Sequence, residues 1–106
     1  REQLKACAAK LESEVTHVIV HDASRPVVSA VEVDTLLEAA ADHACVALAA
    51  PVNAITLRID ESETVAEAIA PASLRQLLTP MCFDRKSFDT LVASGITGLL
   101  SRLHLL

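Results

Sequence analysis

One hundred and six residues make room for one modest domain, and 52% apolar with 22% charged residues marks it as globular, not disordered. A net charge of −5 with nine Lys and Arg argues against general nucleic-acid binding, whose affinity comes from neutralised phosphates. Two Phe with no Tyr or Trp argue against base stacking and aromatic sugar platforms. Charges interrupt every apolar stretch within a few residues, so no membrane span is expected, and the N-terminal residues do not read as a signal peptide. Cys7, Cys45 and Cys82 form no CxxC pair, and an odd count suits a reducing, cytoplasmic setting with all three thiols buried. Arg1 at the start and the apolar residues 103–106 at the end read as cuts from a longer chain.

In chain order, Leu4, Cys7, Ala8 and Leu11 follow one helical stripe. Residues 15–20 are short and β-branched, which predicts a buried strand. A loop holds residues 21–26. Ser29 then opens a helix: Glu32 completes a capping box, Val28 and Val33 form a staple, and the helix ends near His43. Residues 45–52 read as a second strand. Residues 55–59 alternate as a strand with one wet face, and 60–63 form a polar turn. Residues 64–70 fit either a helix or a returning hairpin strand, and Pro71 ends them. After an apolar run at 74–81, a helix starts at Asp84 with Phe83 and Phe88 as staple and Gly95 as left-handed cap. Beyond Gly98 no element is assigned. Strand, helix, strand predicts a parallel pair with a right-handed crossover, hence α/β layers.

The chemistry concentrates in His21-Asp-Ala-Ser-Arg-Pro26, where the first strand ends. Parallel sheets bind ligands beyond the carboxyl ends of their strands. There Asp22 can hold Mg²⁺ or a sugar hydroxyl, and Arg25 can pair with a phosphate oxygen. A plain Asp–Arg ion pair in a turn fits the same spacing. His17 and His21 share a strand face but lack a third ligand, so a zinc site or metal hydrolase ranks last. His43 and His104 read as surface residues. Ser24 has no GxSxG frame, and no glycine-rich phosphate cradle is present. Thr79 can present a hydroxyl.

These motifs resemble the 2-C-methyl-D-erythritol 4-phosphate cytidylyltransferases. Residues 18–26 are similar to that family's hydrophobic strand followed by HDAARP. Ala50-Pro-Val52 resembles the start of its PVxDTIK strand, Leu78-Thr-Pro80 with Phe83 its TPQxF segment, and Arg1 the Arg of its RxxSV segment. The resemblance implies a Rossmann-like nucleotidyltransferase fold. Residues 1–106 would be part of a single domain with a protruding β arm at about 55–70. It implies transfer from CTP to a sugar-alcohol phosphate, release of pyrophosphate, and Mg²⁺. On this mapping Asp22 sits at the metal and the substrate hydroxyls. Arg25 braces the same loop, Thr79 and Thr56 face the substrate, and Arg1 faces the nucleotide. The arm would join two copies as a homodimer.

Three departures accompany the likeness. The family's glycine-rich opening loop and its C-terminal Lys segment are not in this chain, so the chain alone would lack the cradle for the nucleotide phosphates. Ala54, Ile55 and Leu57 replace the Asp, Thr and Lys of DTIK. Thr56 stands one place off, and a one-residue slip turns a strand side chain to the opposite face. Pro71 replaces the Arg that holds the acceptor phosphate, and Leu4 the Ser that meets the base. A lost Arg–phosphate bond costs about 1.5–3 kcal/mol net. The leading expectation is a cytidylyltransferase of this type. The alternative is a non-catalytic relative acting as a dimerisation or interaction module.

Overall fold

The computed structural model describes residues 2–106. It divides into two compact units: residues up to Leu48 together with Thr79–Leu106, and the intervening Ala49–Leu78.

The first unit is built on a sheet of four strands. These are β1 (His17–Val20), β2 (Cys45–Pro51), β5 (Arg75–Asp84) and β6 (Leu103–Leu105), in the order β1-β5-β2-β6. β1 and β5 run antiparallel with Val18 opposite Phe83, and β2 and β6 run parallel with Cys45 opposite Leu103. The sheet is therefore mixed. The expected parallel pairing of the first two strands does not occur, because β5 inserts between them. Nor is β1 a buried strand. It is an edge strand that pairs on one side only among the described residues, which leaves Ile19 exposed.

Side-chain alternation on the two inner strands divides the core into two layers. Cys45 and Phe83 point to one face and pack with Phe88 and Leu91 of α3 (Arg85–Ser94) and with Leu99. Leu4 and Ala8 of α1 (Glu2–Ala8) close that layer. Val46 and Cys82 point to the other face, against Leu36 and Ala39 of α2 (Ala30–Ala39). Helices thus cover both faces, as the α/β reading requires. Burying a Phe or Leu completely contributes about 1.5–3 kcal/mol over leaving it exposed. Phe83, Phe88, Leu36 and Leu99 are the largest such side chains here.

The helix ends follow local chemistry. Ser29 Oγ accepts from the Glu32 amide at 3.1 Å, and Asp84 Oδ1 accepts from the Ser87 amide at 2.7 Å. Phe83 and Phe88 flank the second cap and are both buried. Gly95 donates to the Leu91 carbonyl with φ at 74°, so the positive φ expected of it is there, but its ψ of −177° is extended and not left-handed helical. Beyond it a 3₁₀ segment (Ile96–Arg102) leads into β6.

Two expectations about side chains are corrected. Cys7 is exposed, because the seven-residue α1 buries no residue completely; Cys45 and Cys82 are buried. His43 and His104 are half-buried, and their rings stack with centroids 3.7 Å apart.

The second unit holds a hairpin of β3 (Thr56–Ile59) and β4 (Val65–Ile69), so residues 64–70 form the returning strand and not a helix. Asp60 Oδ1 accepts from the amides of Ser62 and Thr64, both at 2.9 Å, which shapes the turn. Thr56 opposes Ile69 and Arg58 opposes Glu67, with an ion pair of 2.5 Å on that face. Leu57 opposes Ala68 and Ile59 opposes Val65, which makes the other face apolar. Leu57, Ile59 and Val65 are 47%, 57% and 54% exposed.

Candidate active site

β1 ends at Val20 and releases the chain into a short, self-bonded loop. Asp22 Oδ1 accepts from the Ser24 amide at 2.9 Å, and the Asp22 carbonyl accepts from the Arg25 amide at 3.0 Å. A carboxylate that caps its own turn in this way fixes a loop without any helix or strand to hold it. The ring of His21 reaches the Arg25 carbonyl at 2.5 Å, and since a carbonyl can only accept, Nε2 must carry the proton.

Thr79 on β5 ties this loop to the sheet twice. Its hydroxyl accepts from the Asp22 amide at 3.1 Å, and its carbonyl accepts from Arg25 Nη1. The hydroxyl still has its own proton to donate. Arg25 Nη2 forms an ion pair with Glu32 Oε1 at 3.8 Å, both side chains being about one-third exposed (34%). The Asp22 carboxyl itself is fully exposed. The Ser24 amide, then the Ser24 hydroxyl, hold it below the ordinary Asp value, with the nearby His21 charge adding a smaller pull. At neutral pH it is an anion facing solvent.

The structure therefore brings Asp22, Arg25 and Thr79 into one constellation. Thr56 belongs to the hairpin unit, where its hydroxyl donates to the Ala54 carbonyl at 3.3 Å. Arg1 lies outside the described residues. His17 and His21 do not share a metal position: His17 Nδ1 lies 3.1 Å from Thr16 Oγ1, and His21 is engaged with Arg25. No group of three His, Cys, Asp or Glu that could hold a metal occurs among the described residues. One exposed carboxylate still fits Mg²⁺, which keeps several waters and takes other oxygens from substrate phosphates. A cavity of about 350 Å³ lies nearby, lined by Leu4, Cys7, Val18, Val20, His21 and Phe88 among others. Its lining includes none of Asp22, Arg25 and Thr79 and no Lys or Arg, so the chemistry belongs to the loop.

Sequence reasoning missed the partner of Arg25. Glu32 was read only as a capping residue. The signal available was a carboxylate seven positions beyond the arginine, at the start of the next helix.

A family model described as IspD, 2-C-methyl-D-erythritol 4-phosphate cytidylyltransferase, matches residues 2–98. The chain belongs to this family. The cytidylyltransferase of that name from Salinibacter ruber is 35% identical over 72 residues, covering 68% of this chain and 30% of the relative. Among solved structures, the 4-diphosphocytidyl-2C-methyl-D-erythritol synthase of Anaerococcus prevotii matches with a TM-score of 0.78 at 20% identity. It covers 99% of this chain and 53% of its own. The Thermus thermophilus cytidylyltransferase gives 0.68 at 21% identity, over 99% of this chain and 55% of its own. The fold is thus the α/β fold of these enzymes, and the chain spans about a third to a half of the relatives it matches. No helix among the described residues is long and apolar enough to cross a membrane.

Proposed function

We propose that this chain carries the acceptor-side loop of a CTP-dependent cytidylyltransferase, acting on a polyol phosphate of the 2-C-methyl-D-erythritol 4-phosphate type. One observation carries this reading: an exposed, ionised Asp22 pinned beside Thr79, in a chain that belongs to this family. In the reaction an acceptor phosphate oxygen attacks the α-phosphorus of CTP. The bond to the bridging oxygen breaks, and pyrophosphate leaves. The protein performs no covalent step, so its task is to position and to neutralise.

Asp22 would accept hydrogen bonds from the acceptor's hydroxyls and hold Mg²⁺. The Thr79 hydroxyl would donate to the acceptor, and Arg25 would keep the loop in register. Arg1 would face the nucleotide, and Thr56 would bind the acceptor. Mg²⁺, when bound, supplies positive charge to the transferring phosphates. The apolar face of the hairpin supports a homodimer through that element. A CTP-using reaction and two buried thiols support a cytoplasmic setting. The acidic net charge speaks against a nucleic-acid partner.

Pyrophosphate release from CTP with 2-C-methyl-D-erythritol 4-phosphate and Mg²⁺ tests the proposal, in a longer protein that carries this chain together with a glycine-rich opening loop. Asp22→Asn keeps an oxygen for the Ser24 amide but loses the charge, and should depress turnover by roughly a hundredfold or more. Equal turnover in the variant, or none in that longer protein, refutes the reading.

The exposed apolar hairpin face favours a second reading, a non-catalytic dimerisation module. Ile55 is 87% exposed, and Leu57 and Pro71 stand where polar ligands of phosphate are implied. Calorimetric titration of that longer protein with CTP and Mg²⁺ separates the two: binding supports the enzyme, and its absence supports the module.

A further inference from the structure

Glu32 occupies the third position of α2. A glutamate there, after a serine cap, ordinarily folds back onto the amide of the cap residue. Ser29 performs its half of that exchange, accepting from the Glu32 amide at 3.1 Å. The Glu32 carboxylate makes no return bond among the described residues. It turns to Arg25 instead, with Oε1 at 3.8 Å from Nη2. Its other oxygen, Oε2, is shut off from solvent and has no hydrogen-bond partner. A carboxylate oxygen held dry and unpaired is costly, so something must hold it there. The cation in reach is the Arg25 guanidinium.

That guanidinium connects the whole constellation. Its Nη1 sits on the Thr79 carbonyl, the Thr79 hydroxyl receives the Asp22 amide, and the Asp22 carboxyl points outward from the same turn. We propose that Glu32 is the positioning residue of this loop: it holds Arg25 on Thr79 and thereby sets the direction of the Asp22 carboxylate. Glu32 touches no substrate in this role. Its consequence for turnover rests on the proposed function, while the brace itself is a property of the chain alone.

Nuclear magnetic resonance of the chain tests the brace directly. The Arg25 Nε–Hε signal and the amides of Asp22 and Thr79 should shift in Glu32→Gln. The Ser24 amide, held by the Asp22 carboxylate within the turn, should shift much less. Glutamine remains a competent capping residue, so the helix start is kept. Glu32→Asp should restore part of the natural shifts, and Arg25→Lys should move the Thr79 and Asp22 amides in the same direction as Glu32→Gln. If Glu32→Gln leaves the Arg25 and Asp22 signals as in the natural protein, the brace is overturned.

In the pyrophosphate assay Glu32→Gln should lower kcat by roughly tenfold to a hundredfold, with KM for CTP unchanged. An unchanged kcat in an active protein overturns the positioning role. Absence of turnover in the longer protein strikes the proposed function instead, and the resonance result still decides the brace.

Discussion

Thr79→Val exchanges one hydroxyl for a methyl group at the centre of the candidate site and takes almost nothing from the fold. Valine keeps the β-branched shape that suits β5, and the main-chain carbonyl that receives Arg25 stays in place. What is lost is the acceptor for the Asp22 amide, at 3.1 Å. A hydrogen bond of this kind contributes about 0.5–1.5 kcal/mol net. Asp22 is exposed, so water can take over its amide and the cost falls toward the lower end, about 0.5–1 kcal/mol. For a domain of this size that is a fall in Tm of about 2–8 °C. Hydrogen exchange gives the local measure. The Asp22 amide should exchange about two to five times faster, since about 1.4 kcal/mol corresponds to a factor of ten. The Arg25 amide, bonded to the Asp22 carbonyl within the turn, should change little. Thr79→Ser should recover most of the protection. An Asp22 amide whose exchange is the same in Thr79→Val would refute the reasoning, as would a loss above about 3 kcal/mol, which would mean that the hydroxyl supports the core.

Asp84→Ala should cost about 0.5–2 kcal/mol in thermal melts by removing the cap of α3, and Asp84→Asn much less at neutral pH, because Asn caps as well. Burial works to raise the Asp84 carboxyl, but the bonds from Ser87 and the charges of His17 and Arg102 prevail and hold it below the ordinary Asp value. Its charge therefore stabilises fully above the unfolded carboxylate range, and that contribution fades as pH falls through the depressed native value. The stability gap between the natural protein and Asp84→Asn should close in acid, and a gap that widens there would contradict the assignment. His104→Ala should lose the stack on His43, about 0.5–1.5 kcal/mol. Because β6 is three residues long and pairs with β2, the Leu106 amide on the Ala47 carbonyl should lose protection first; protection equal to the natural protein's would count against the stack.

The elements read correctly from the sequence are those whose ends carry their own chemistry. α2 and α3 each begin with a side-chain cap made within three residues, and no distant contact is needed to set them. Strand order is a different kind of quantity. β5 enters the sheet between β1 and β2 only after the chain has left for the hairpin and returned, and no local pattern records that insertion. β6 is too short to show a period, so its pairing with β2 defines it. In residues 64–70 the helix preference of Ala and Glu competed with a turn held by the Asp60 carboxylate and by Glu63 at a φ of 60°, and the turn won. The Asp60 turn was the readable signal there. Cys7 was misread for a simpler reason: helical spacing names a stripe but not whether a partner covers it.

The candidate site divides in the same way. Asp22, Arg25 and Thr79 could each be named from residue type and place, but the bonds that join them span 57 and 54 residues and have no periodic trace. Glu32 shows why one local rule failed while its neighbour held. The serine hydroxyl had one good donor within reach, the Glu32 amide, and took it. The glutamate carboxylate had two: a neutral amide at the exposed Ser29 and a guanidinium. Attraction between full charges outweighs a hydrogen bond that water can replace, above all where one carboxylate oxygen is already out of solvent. A capping pattern preceded by an arginine-bearing loop should therefore be read with both partners in view. The cap then fixes where the helix starts, and the cation decides where the acid points.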